Sequence, residues 1–451
     1  MHSVSPRPTL HSATPERQFY SYTPGVSSNP SFPPELQTAV PGPRSRALAK
    51  RLAEVECPNV TCLDPDDPIF WERGQGANVW DVDGNRFIDL GAAFGVANVG
   101  HSHPRVVAAI ADQASRLLHG MGDVHPPAVK VELLEKLVER FPGGEPAMGT
   151  LTTSGSDAVE TALRTALLAT GNAGVIAFEG AYHGLSLGAL DTTWRRDFRE
   201  PFAALLPERT GFASYGDLAD VERAAIEAPT RIGAVLIEPI QGRGGERVPP
   251  EGFLAALRQL CDQRGWVLIA DEIYTGCGRT GRFFACEHES VVPDLLCLGK
   301  GLSSGMPISA CLGRRRWMEA WPASRGEALS TQTYIGHPTG CAAALASLAV
   351  LEEEKLIPRA AELGAATYER LATRLAGIAT VRGRGLMLGI ECARPAIARA
   401  VCRAALSRGI ILLPSGDDGR VLSITPPLCI EAGLFDSALD EICQILEANP
   451  G

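Results

Sequence analysis

Long apolar stretches are missing from this 451-residue sequence, since none approaches the roughly 18 residues that a membrane helix needs. The first residues, Met1 to Pro8, also lack the apolar core of a secretion signal. Basic residues are in the minority: 42 lysines and arginines face 52 aspartates and glutamates, so the net charge is −10. These shortages argue against a membrane-spanning protein, and against nucleic acid or an anionic membrane as the main partner.

Cysteine pairs with the spacing Cys-x-x-Cys are missing as well, although the chain contains 12 cysteines. Several of them, such as Cys297 and Cys311, lie inside apolar runs, where a small buried thiol fits. This distribution predicts a reducing, cytoplasmic setting and a protein with neither a metal site nor disulfides.

The composition, 45% hydrophobic and 21% charged, is that of an ordinary globular protein. At about 100–200 residues per domain, the length predicts two or three domains. Residues 1–43 are rich in proline, serine and threonine, and we predict that they form a flexible N-terminal extension or an arm that lies on the surface. We assign 44–95 to the first part of a small domain, 96–354 to a large domain and 355–451 to the rest of the small domain.

From about residue 96, short apolar runs alternate with helical patterns. This alternation predicts an α/β fold with a mainly parallel sheet and helices on both faces. The strand candidates are 149–153, 174–178, 232–237, 267–271, 295–299 and 308–312, and the helix candidates are 104–119, 157–170, 251–264 and 338–354. Before them, residues 78–89 are typical of a hairpin with its turn at 83–85.

Two apolar runs in the middle of the chain end at charged residues. The run 266–270 stops at Asp271, and the run 295–299 stops at Lys300. Because ligands of open α/β folds bind at the carboxyl ends of the strands, we expect both side chains at one ligand site. Taken alone, Asp271 has a simpler interpretation as a solvated carboxylate at a strand end, and Lys300 has one as a surface lysine.

A third strand end is suited to an anion. Gly155 and Ser156 lie where a strand gives way to a helix. Glycine lets a phosphate approach the backbone, and the free amides of a helix N-terminus bind anions. The alternative is an ordinary N-cap, formed by Ser156 or Asp157.

Two more strand ends carry side chains that could contact a cofactor. Tyr182 stands between glycines after the strand candidate 174–178, and its ring could stack on a planar group. An ordinary loop tyrosine is the alternative. Glu238 and Gln241 follow the strand candidate 232–237 and could contact a cofactor oxygen or orient its neighbours.

Together these strand ends predict a site for pyridoxal phosphate. A phosphate loop, an aromatic plate, a carboxylate for the pyridinium nitrogen and an imine-forming lysine are the parts that such a site needs. Lys300 would form the imine and then act as general base and acid. Asp271 would keep the pyridine nitrogen protonated, because an opposite charge stabilises the charged form.

From about residue 44 to 446 the chain resembles the class III aminotransferases, the ω-aminotransferase family of pyridoxal-phosphate enzymes, which includes the 4-aminobutyrate aminotransferases. The resemblance rests on short motifs in the order that the family shows, at 154–160, 182–184, 238–242, 271–273, 278–281 and 299–301. It implies the type I fold of pyridoxal-phosphate-dependent transferases. In that fold a large domain with a mostly parallel sheet is joined to a small α+β domain built from both chain ends.

The resemblance also implies how the cofactor is held. Gly155 and Ser156 would bind the phosphate, while Tyr182 would stack on one face of the ring. Ile273, at a position that the family usually fills with an aliphatic residue, would press on the other face.

Further implied roles concern the edge of the ring and the partner subunit. Asp271 would pair with the ring nitrogen, Gln241 would lie near the ring oxygen, and Lys300 would carry the cofactor. Thr333 would reach the phosphate of the neighbouring subunit, which implies an obligate homodimer.

The chain departs from part of the family at two positions. Members that resemble 4-aminobutyrate aminotransferases have a glutamate at the position of Arg243 and an arginine at that of Ser423, which can form an ion pair that opens for a dicarboxylic acceptor. Both are changed here, so we hypothesise that Arg243 itself holds a substrate carboxylate, since a guanidinium binds carboxylates bidentately. A loop arginine with a structural role is the alternative.

The expected activity is transfer of an amino group from an amine or ω-amino acid to a 2-oxo acid. A racemase, epimerase or aminomutase on the same scaffold is the nearest alternative, because it would begin with the same imine and proton removal. A non-catalytic binding module is a further alternative, which the presence of both Asp271 and Lys300 disfavours.

Overall fold

The structure is a computed structural model that describes residues 29–61 and 68–448. Its strands are β1 (Trp71–Gln75), β2 (Asn78–Asp81), β3 (Arg86–Asp89), β4 (Ala147–Thr152), β5 (Gly174–Phe178), β6 (Thr210–Ala213), β7 (Ile232–Ile237), β8 (Val267–Asp271), β9 (Leu295–Leu298), β10 (Ser309–Arg314), β11 (Thr380–Arg384), β12 (Met387–Glu391), β13 (Ile410–Ile411), β14 (Leu413–Ser415) and β15 (Val421–Ile424).

The α-helices are α1 (Pro43–Val55), α2 (Ala92–Gly95), α3 (Pro104–Arg116), α4 (Ala128–Glu139), α5 (Gly155–Thr170), α6 (Leu187–Asp191), α7 (Arg196–Arg199), α8 (Leu218–Glu227), α9 (Phe253–Arg264), α10 (Arg315–Met318), α11 (Pro338–Glu353), α12 (Leu356–Arg374), α13 (Pro395–Leu406) and α14 (Ala432–Glu447). Short 3₁₀ helices cover Pro142–Gly144, Glu200–Leu205, Ala285–Glu289 and Lys300–Leu302.

The large sheet has seven strands in the order β4-β10-β9-β8-β7-β5-β6. Strand β10 runs antiparallel to both of its neighbours, and the other neighbouring pairs are parallel. Every residue of β7, β8 and β9 is buried, which explains why these strands consist of continuous apolar runs. The predicted α/β fold with a mainly parallel sheet is confirmed.

Most elements of the large sheet lie where the sequence pattern puts them. The predicted strands 174–178, 232–237 and 267–271 match β5, β7 and β8 residue for residue. Strand β6 was not predicted, because its four residues include a glycine and a threonine and form no apolar run.

Both ends of the described chain contribute to the smaller sheets. Strands β1, β2 and β3 continue into β13, which lies parallel to β3 although more than 300 residues separate them. The hairpin of β2 and β3 lies in the predicted place. A third sheet, with the order β11-β12-β15-β14, is built from the C-terminal part alone.

Residues 29–43 lie against this hairpin, which agrees with the predicted alternative of an arm on the surface and differs from a flexible extension. The backbone N–H of Phe32 donates to the buried Asn78 side chain at 2.6 Å, and that of Gln37 donates to Asn85 at 2.8 Å. These buried amides give a polar, proline-rich segment its fixed place. Residues 1–28 of the predicted extension lie outside the described residues.

Three expected features can be compared with the described residues. No helix among them is long and apolar enough to cross a membrane. In the same residues no group of three or more histidine, cysteine, aspartate or glutamate side chains could hold a metal ion. The cysteines found there are free thiols, and most of them are buried.

Candidate active site

The carboxyl ends of β5, β7, β8 and β9 meet at one edge of the large sheet. Asp271 is the last residue of β8, and Lys300 lies two residues after the end of β9. Glu238 comes directly after β7. The loop that follows β5 returns to this edge, because His183 contacts Asp271. The structure therefore brings the strand ends singled out in the sequence to one place.

Asp271 is held on both of its oxygens. Its Oδ2 lies 2.7 Å from Nδ1 of His183, and its Oδ1 accepts a hydrogen bond from the backbone N–H of Ile273 at 3.1 Å. The Asp271 residue is only 4% exposed. The other ring nitrogen of His183, Nε2, is buried and has no hydrogen-bond partner among the described residues. A buried polar atom without a partner is costly, so a ligand with a polar group would be favoured beside this pair.

Lys300 combines an unusual backbone conformation with a lowered pKa. Its φ angle is +43°, in the left-handed region that residues with a Cβ rarely adopt and that is often found at functional sites. Nζ lies 4.1 Å from the centroid of the Tyr274 ring. Burial lowers the pKa of Lys300 to about 8; Asp271 and Glu238 oppose this shift, and the positive charge of Arg243 adds to it. A substantial fraction of the amine is therefore neutral, and so nucleophilic, close to physiological pH.

Glu238 connects two loops beneath the site. Its Oε2 accepts a hydrogen bond from the backbone N–H of Tyr182 at 3.1 Å, and its Oε1 accepts one from that of Gly242 at 3.2 Å. Burial raises the pKa of Glu238 to about 7, with a lowering contribution from His183 and a raising one from Asp271. In this structure Glu238 holds the backbone of the loops that contain Tyr182 and Gly242. Its predicted contact with a cofactor stays a prediction.

The first turn of α5 is open to an anion. Ser154 is the N-cap, since its hydroxyl accepts from the backbone N–H of Asp157, so the cap lies earlier than Ser156 or Asp157. The backbone N–H groups of Gly155 and Ser156 have no acceptor among the described residues. Ser156 Oγ accepts a hydrogen bond from the backbone N–H of Leu185, which leaves its hydroxyl proton free to donate.

The two residues expected to cover a cofactor ring have different neighbours, and their stacking on a ring stays a prediction. Ile273 packs against the start of α5, since a Cβ added to Gly155 would come within 2.9 Å of Ile273 Cδ1. The Tyr182 ring contacts Phe198 edge-on, with 5.8 Å between ring centroids. The guanidinium carbon of Arg243 lies 4.8 Å from the Tyr182 centroid.

Gln241 is buried in the loop after β7. Its amide nitrogen donates to the carbonyl oxygen of Glu179 at 2.8 Å. Its Oε1 is buried, without a hydrogen-bond partner among the described residues, beside Gly180 and Gly244. The expected position of Gln241 near a ring oxygen stays a prediction.

A cavity of about 230 Å³ opens beside Tyr274, the residue whose ring contacts Lys300. Arg243 lines it, and its guanidinium carbon lies 5.7 Å from the Phe198 centroid and 5.9 Å from that of Phe94. No carboxylate of the described chain lies within ion-pair distance of Arg243, so its charge is available to a ligand.

The floor of this cavity contains a buried carboxylate, Glu246. Its Oε1 accepts a hydrogen bond from Ser423 at 2.6 Å, and its Oε2 accepts one from Ser415 at 2.7 Å. Burial raises the pKa of Glu246 to about 7, against the lowering effect of the two serines and of Arg382. An acid therefore does lie next to Ser423, but it comes from three residues after Arg243.

Thr333 makes no contact with these strand ends among the described residues. It is exposed, in a turn that precedes α11. Its neighbours are tied to other loops: Thr331 Oγ1 donates to Asp123 at 2.5 Å, and Gln332 accepts from Thr153 at 3.2 Å. No contact joins Thr333 to Ser156 among the described residues.

Sequence reasoning missed the parts played by His183, Tyr274 and Glu246. His183 stands between Tyr182 and Gly184 in a motif that was noticed, so its place could have been suspected. Tyr274 directly follows Ile273. Nothing in the sequence indicates Glu246, because its contacts with Ser415 and Ser423 depend on how its loop lies against β14 and β15, about 170 residues away in the chain.

The residues at this edge fit pyridoxal phosphate. The open first turn of α5 suits its phosphate, and the buried pair of Asp271 and His183 suits a protonated ring nitrogen. Lys300, with its lowered pKa, suits its aldehyde.

Comparison with known proteins gives consistent results. A family model described as "Aminotransferase class-III" matches residues 63–446. The chain is 41% identical to acetylornithine aminotransferase of Methanopyrus kandleri over 384 residues, which are 85% of this chain and 95% of that protein. It is 38% identical to 4-aminobutyrate aminotransferase of Mycobacterium tuberculosis over 445 residues, with coverage of 91% and 97%.

Solved structures show the same fold. A crystal structure of ornithine aminotransferase from Toxoplasma gondii has a TM-score of 0.82 at 32% identity and covers 90% of this chain and 95% of that one. Another structure of that enzyme is described as having partial occupancy of PLP at the active site.

Proposed function

The chain belongs to the class III aminotransferase family and is a pyridoxal-phosphate-dependent transaminase, and we propose that Lys300 and Asp271 carry its chemistry. The substrates are an amine or ω-amino acid donor and a 2-oxo acid acceptor. The observation that carries this proposal is the position of Lys300, whose pKa is lowered to about 8, at the same sheet edge as the Asp271–His183 pair. The relatives reported above are named as aminotransferases and lend no support to the isomerase alternative.

The cofactor, when bound, supplies an electron sink for the negative charge that develops beside the transferred nitrogen. Lys300 would hold it through its side-chain amine, and Asp271 would stabilise its protonated ring nitrogen. The other proposed cofactor-binding residues lie around these two, and they are Gly155, Ser156, Tyr182, Glu238, Gln241, Ile273 and Thr333. The open amides of α5 and the free hydroxyl proton of Ser156 support the proposed phosphate site.

Each catalytic side chain has a limited task. Lys300 Nζ would take a proton from the substrate carbon next to the nitrogen and would deliver it to the cofactor's aldehyde carbon, for which a pKa close to the working pH is best suited. The Tyr274 face supports Nζ whenever it is protonated, through a cation–π contact. Asp271 stabilises positive charge at the ring nitrogen, and His183 holds the carboxylate in place.

Arg243 is the proposed anchor for a substrate carboxylate. It lines the cavity beside Tyr274, and it has no acidic partner in the described chain. Its three aromatic neighbours restrict the guanidinium and keep water from part of it.

A homodimer completed by Thr333 is also part of the proposal. Exposed apolar side chains surround the segment that contains Thr333, and they are Leu118, Met121, Val124, Leu329 and Tyr334. The Tyr334 and His119 rings are in contact, and Thr331 bonds to Asp123, so this surface is continuous. An exposed apolar patch of this kind is typical of a protein interface. The free, buried cysteines support the reducing, cytoplasmic setting that we also propose.

The proposed function is tested with a panel of donors. Purified holoenzyme is mixed with an ω-amino acid, with the matching alkylamine that lacks the carboxylate, and with pyruvate or 2-oxoglutarate as acceptor. We expect net formation of the amino acid that corresponds to the acceptor, and conversion of the cofactor spectrum from the aldehyde to the amine form by the donor alone. Rearrangement of the donor without net transfer would contradict the proposal.

The role of Arg243 is tested in the same assay with Arg243→Ala. We expect the apparent affinity for the ω-amino acid to fall by roughly 10-fold or more, as for the loss of a charge-assisted hydrogen bond, while that for the alkylamine changes little. Unchanged affinity for every carboxylated substrate would remove Arg243 from the site.

A further inference from the structure

A second cavity, of about 500 Å³, lies beyond the carboxyl ends of β5 and β6. None of its lining residues lines the cavity beside Tyr274, so the two cavities are separate. Its wall combines residues that follow β5, β6 and β7 with residues of α12 and β11, among them Glu179, Ser214, Arg247, Tyr368, Arg382 and Arg384. Because three arginines line it together with one carboxylate, the cavity suits an anion.

Strand β11 supplies two of the three arginines. Residues two apart on a strand point to the same face, so Arg382 and Arg384 project together. Arg384 is exposed, and its guanidinium has no partner among the described residues. Arg382 is held from one side: its Nε donates to the carbonyl oxygen of Gly245 at 2.5 Å, and its Nη1 donates to Glu391 at 2.9 Å. Its Nη2 has no acceptor in the described part of the chain and is available to a ligand.

The third arginine, Arg247, comes from the loop after β7. Within the described residues its ion pair is with Asp417, at 3.4 Å between Nη2 and Oδ2, and both side chains are partly exposed. Burial lowers the pKa of Arg382; Glu391 opposes this shift, and the positive charge of Arg247 adds to it. The guanidinium groups of Arg247 and Arg382 therefore repel each other, and a bound anion would offset that repulsion.

The charge of the lining indicates which kind of anion fits. Glu179 is the one carboxylate among the lining residues, and it forms no ion pair with the arginines in the described chain. Three positive charges and one negative charge leave the lining with a net charge of +2. A phosphate group carries close to two negative charges at neutral pH, so it balances this charge, whereas a monocarboxylate does not. The hydroxyl of Tyr368, without a partner among the described residues, adds a donor.

We propose that this cavity binds a doubly charged phosphate group, at a site separate from the phosphate site of the cofactor. The phosphate lies among Arg247, Arg382 and Arg384, since guanidinium groups bind phosphate oxygens bidentately. The volume is in the range of small-molecule sites and leaves room for a group esterified to the phosphate. This inference goes beyond the proposed transamination and does not depend on it.

The proposed site is joined to the loop that carries Arg243. The backbones of Gln241 and Arg247 pair with each other at 3.0 and 3.1 Å, and Arg382 bonds to Gly245 within the same loop. A phosphate that binds both Arg247 and Arg382 therefore fixes the loop 241–247 against β11. A ligand that binds only the folded protein also raises its stability.

Binding is tested by titrating the holoenzyme with glycerol 2-phosphate and with inorganic phosphate, while chloride keeps the ionic strength constant. We expect Tm to rise in a saturable way with both, and acetate, with one charge, to raise it far less. Cofactor absorbance in the same samples shows that the cofactor is not displaced. Tighter binding of glycerol 2-phosphate would identify an ester as the ligand, and equal affinity would identify free phosphate; either result supports the site.

Three variants connect binding to this cavity. Arg384→Gln and Arg247→Gln should each weaken the affinity for phosphate at least about 5-fold, as for the loss of a charge-assisted hydrogen bond. Glu179→Gln should strengthen it, because a repelling charge is removed while the size of the side chain is kept. Arg231→Gln is the matched control, since Arg231 is exposed, unpaired in the described chain and placed before β7, at the opposite end of that strand. The control should leave the affinity unchanged.

Hydrogen exchange locates the bound phosphate in the holoenzyme. We expect phosphate to slow the exchange of backbone amides in the segments 241–248 and 380–385, which carry the three arginines. The start of α5, where the cofactor phosphate is proposed to lie, should be unaffected.

The possible outcomes separate this inference from the proposed function. The inference would be overturned by no saturable rise in Tm with either phosphate, by an equal effect of acetate, or by unchanged affinity in folded Arg384→Gln and Arg247→Gln. Slower exchange at the start of α5 alone would place the phosphate at the cofactor site, and weaker binding in Glu179→Gln would make that carboxylate a ligand; both results contradict the inference. Absence of net amino transfer in the donor assay would instead refute the proposed function and leave this site unaffected.

Discussion

The Asp271 residue is almost fully buried, and both of its carboxylate oxygens are bonded. The charge of this side chain is therefore expected to matter more than its shape. The place of Asp271 at a strand end and at the sheet edge shared with Lys300 was predicted, whereas its partner His183 was not.

Replacing Asp271 with asparagine tests this directly. Breaking a buried charge pair typically costs about 3–5 kcal/mol, and about 1.4 kcal/mol of transition-state stabilisation corresponds to a 10-fold change in rate. We therefore expect Asp271→Asn to lower kcat by at least about 100-fold while the fold is kept. Asp262→Asn is the control, since Asp262 is exposed and its carboxylate pairs with Arg258. Near-normal turnover of Asp271→Asn would contradict the assignment.

Lys300 makes a pH-dependent reaction possible. Burial disfavours its charged form, so the pKa falls from 10.5 to about 8, and the neutral amine becomes abundant as the pH rises through 8. We expect the rate at which pyridoxal phosphate attaches to the apoenzyme to rise with pH, with a midpoint near 8. Arg243→Gln should move the midpoint upward, because Arg243 contributes to the lowering. A wild-type midpoint near 10 would show that the amine is not buried as described.

The contacts of a side chain whose position depends on the conformation of its loop could not be predicted from the sequence. Glu246 has a φ angle of +49° and reaches Ser415 and Ser423 only because β14 and β15 pair beside its loop. Sequence spacing contains no information about that contact. Arg243, by contrast, was found because it differs from a known family pattern at a fixed position.

At the scale of elements, burial on both faces made the central strands easy to recognise. β7 and β8 are continuous apolar runs, so their bounds were predicted to the residue. The start of α5 was placed two residues late, because the N-cap is Ser154 in a run of several candidate capping residues. Strand β1 was not predicted, since its residues are mostly exposed and polar.

The loop after β7 is shaped by a close contact between elements. A Cβ on Gly242 would come within 2.2 Å of the Tyr274 ring, and one on Gly95 would approach the same ring to 2.1 Å, so the ring lies between two glycines and cannot move aside. We expect Gly242→Ala to lower both Tm and turnover, since overpacking typically costs about 1–3 kcal/mol.

Gly340→Ala in α11 is the matched control for this change. A Cβ at Gly340 would meet its nearest neighbour at 3.5 Å, an ordinary contact. If Gly242→Ala changed Tm and turnover no more than this control does, the position of the Tyr274 ring between Gly242 and Gly95 would be wrong.

At the scale of the whole molecule, the order of the predicted helices and strands indicated that residues from both chain ends build one small domain. The pairing of β13 with β3 joins them in one sheet. The sequence left open whether residues 29–43 form a flexible tail or an arm on the surface, because their course depends on single buried amides such as Asn78 and Asn85. The domain limits at 95 and 354 stay a prediction.

The proposed homodimer can be tested by mixing two impaired variants. Lys300→Ala lacks the catalytic amine, and Thr333→Val lacks the hydroxyl that would complete the partner's phosphate site. If Thr333 acts across the interface, a mixed dimer contains one site with both wild-type groups, so co-refolded variants should recover activity that neither has alone. No recovery in verified mixed dimers would place Thr333 outside the partner's site.

The attachment point of the cofactor tests the central claim most directly. Holoenzyme is reduced with borohydride, digested and examined by peptide mass spectrometry, with Lys130 as the internal comparison, because burial lowers its pKa too. We predict that the reduced cofactor is found on the peptide that contains Lys300, and that Lys300→Ala carries no adduct. Attachment to Lys130 or another lysine, with the Lys300 peptide unmodified, would contradict the account.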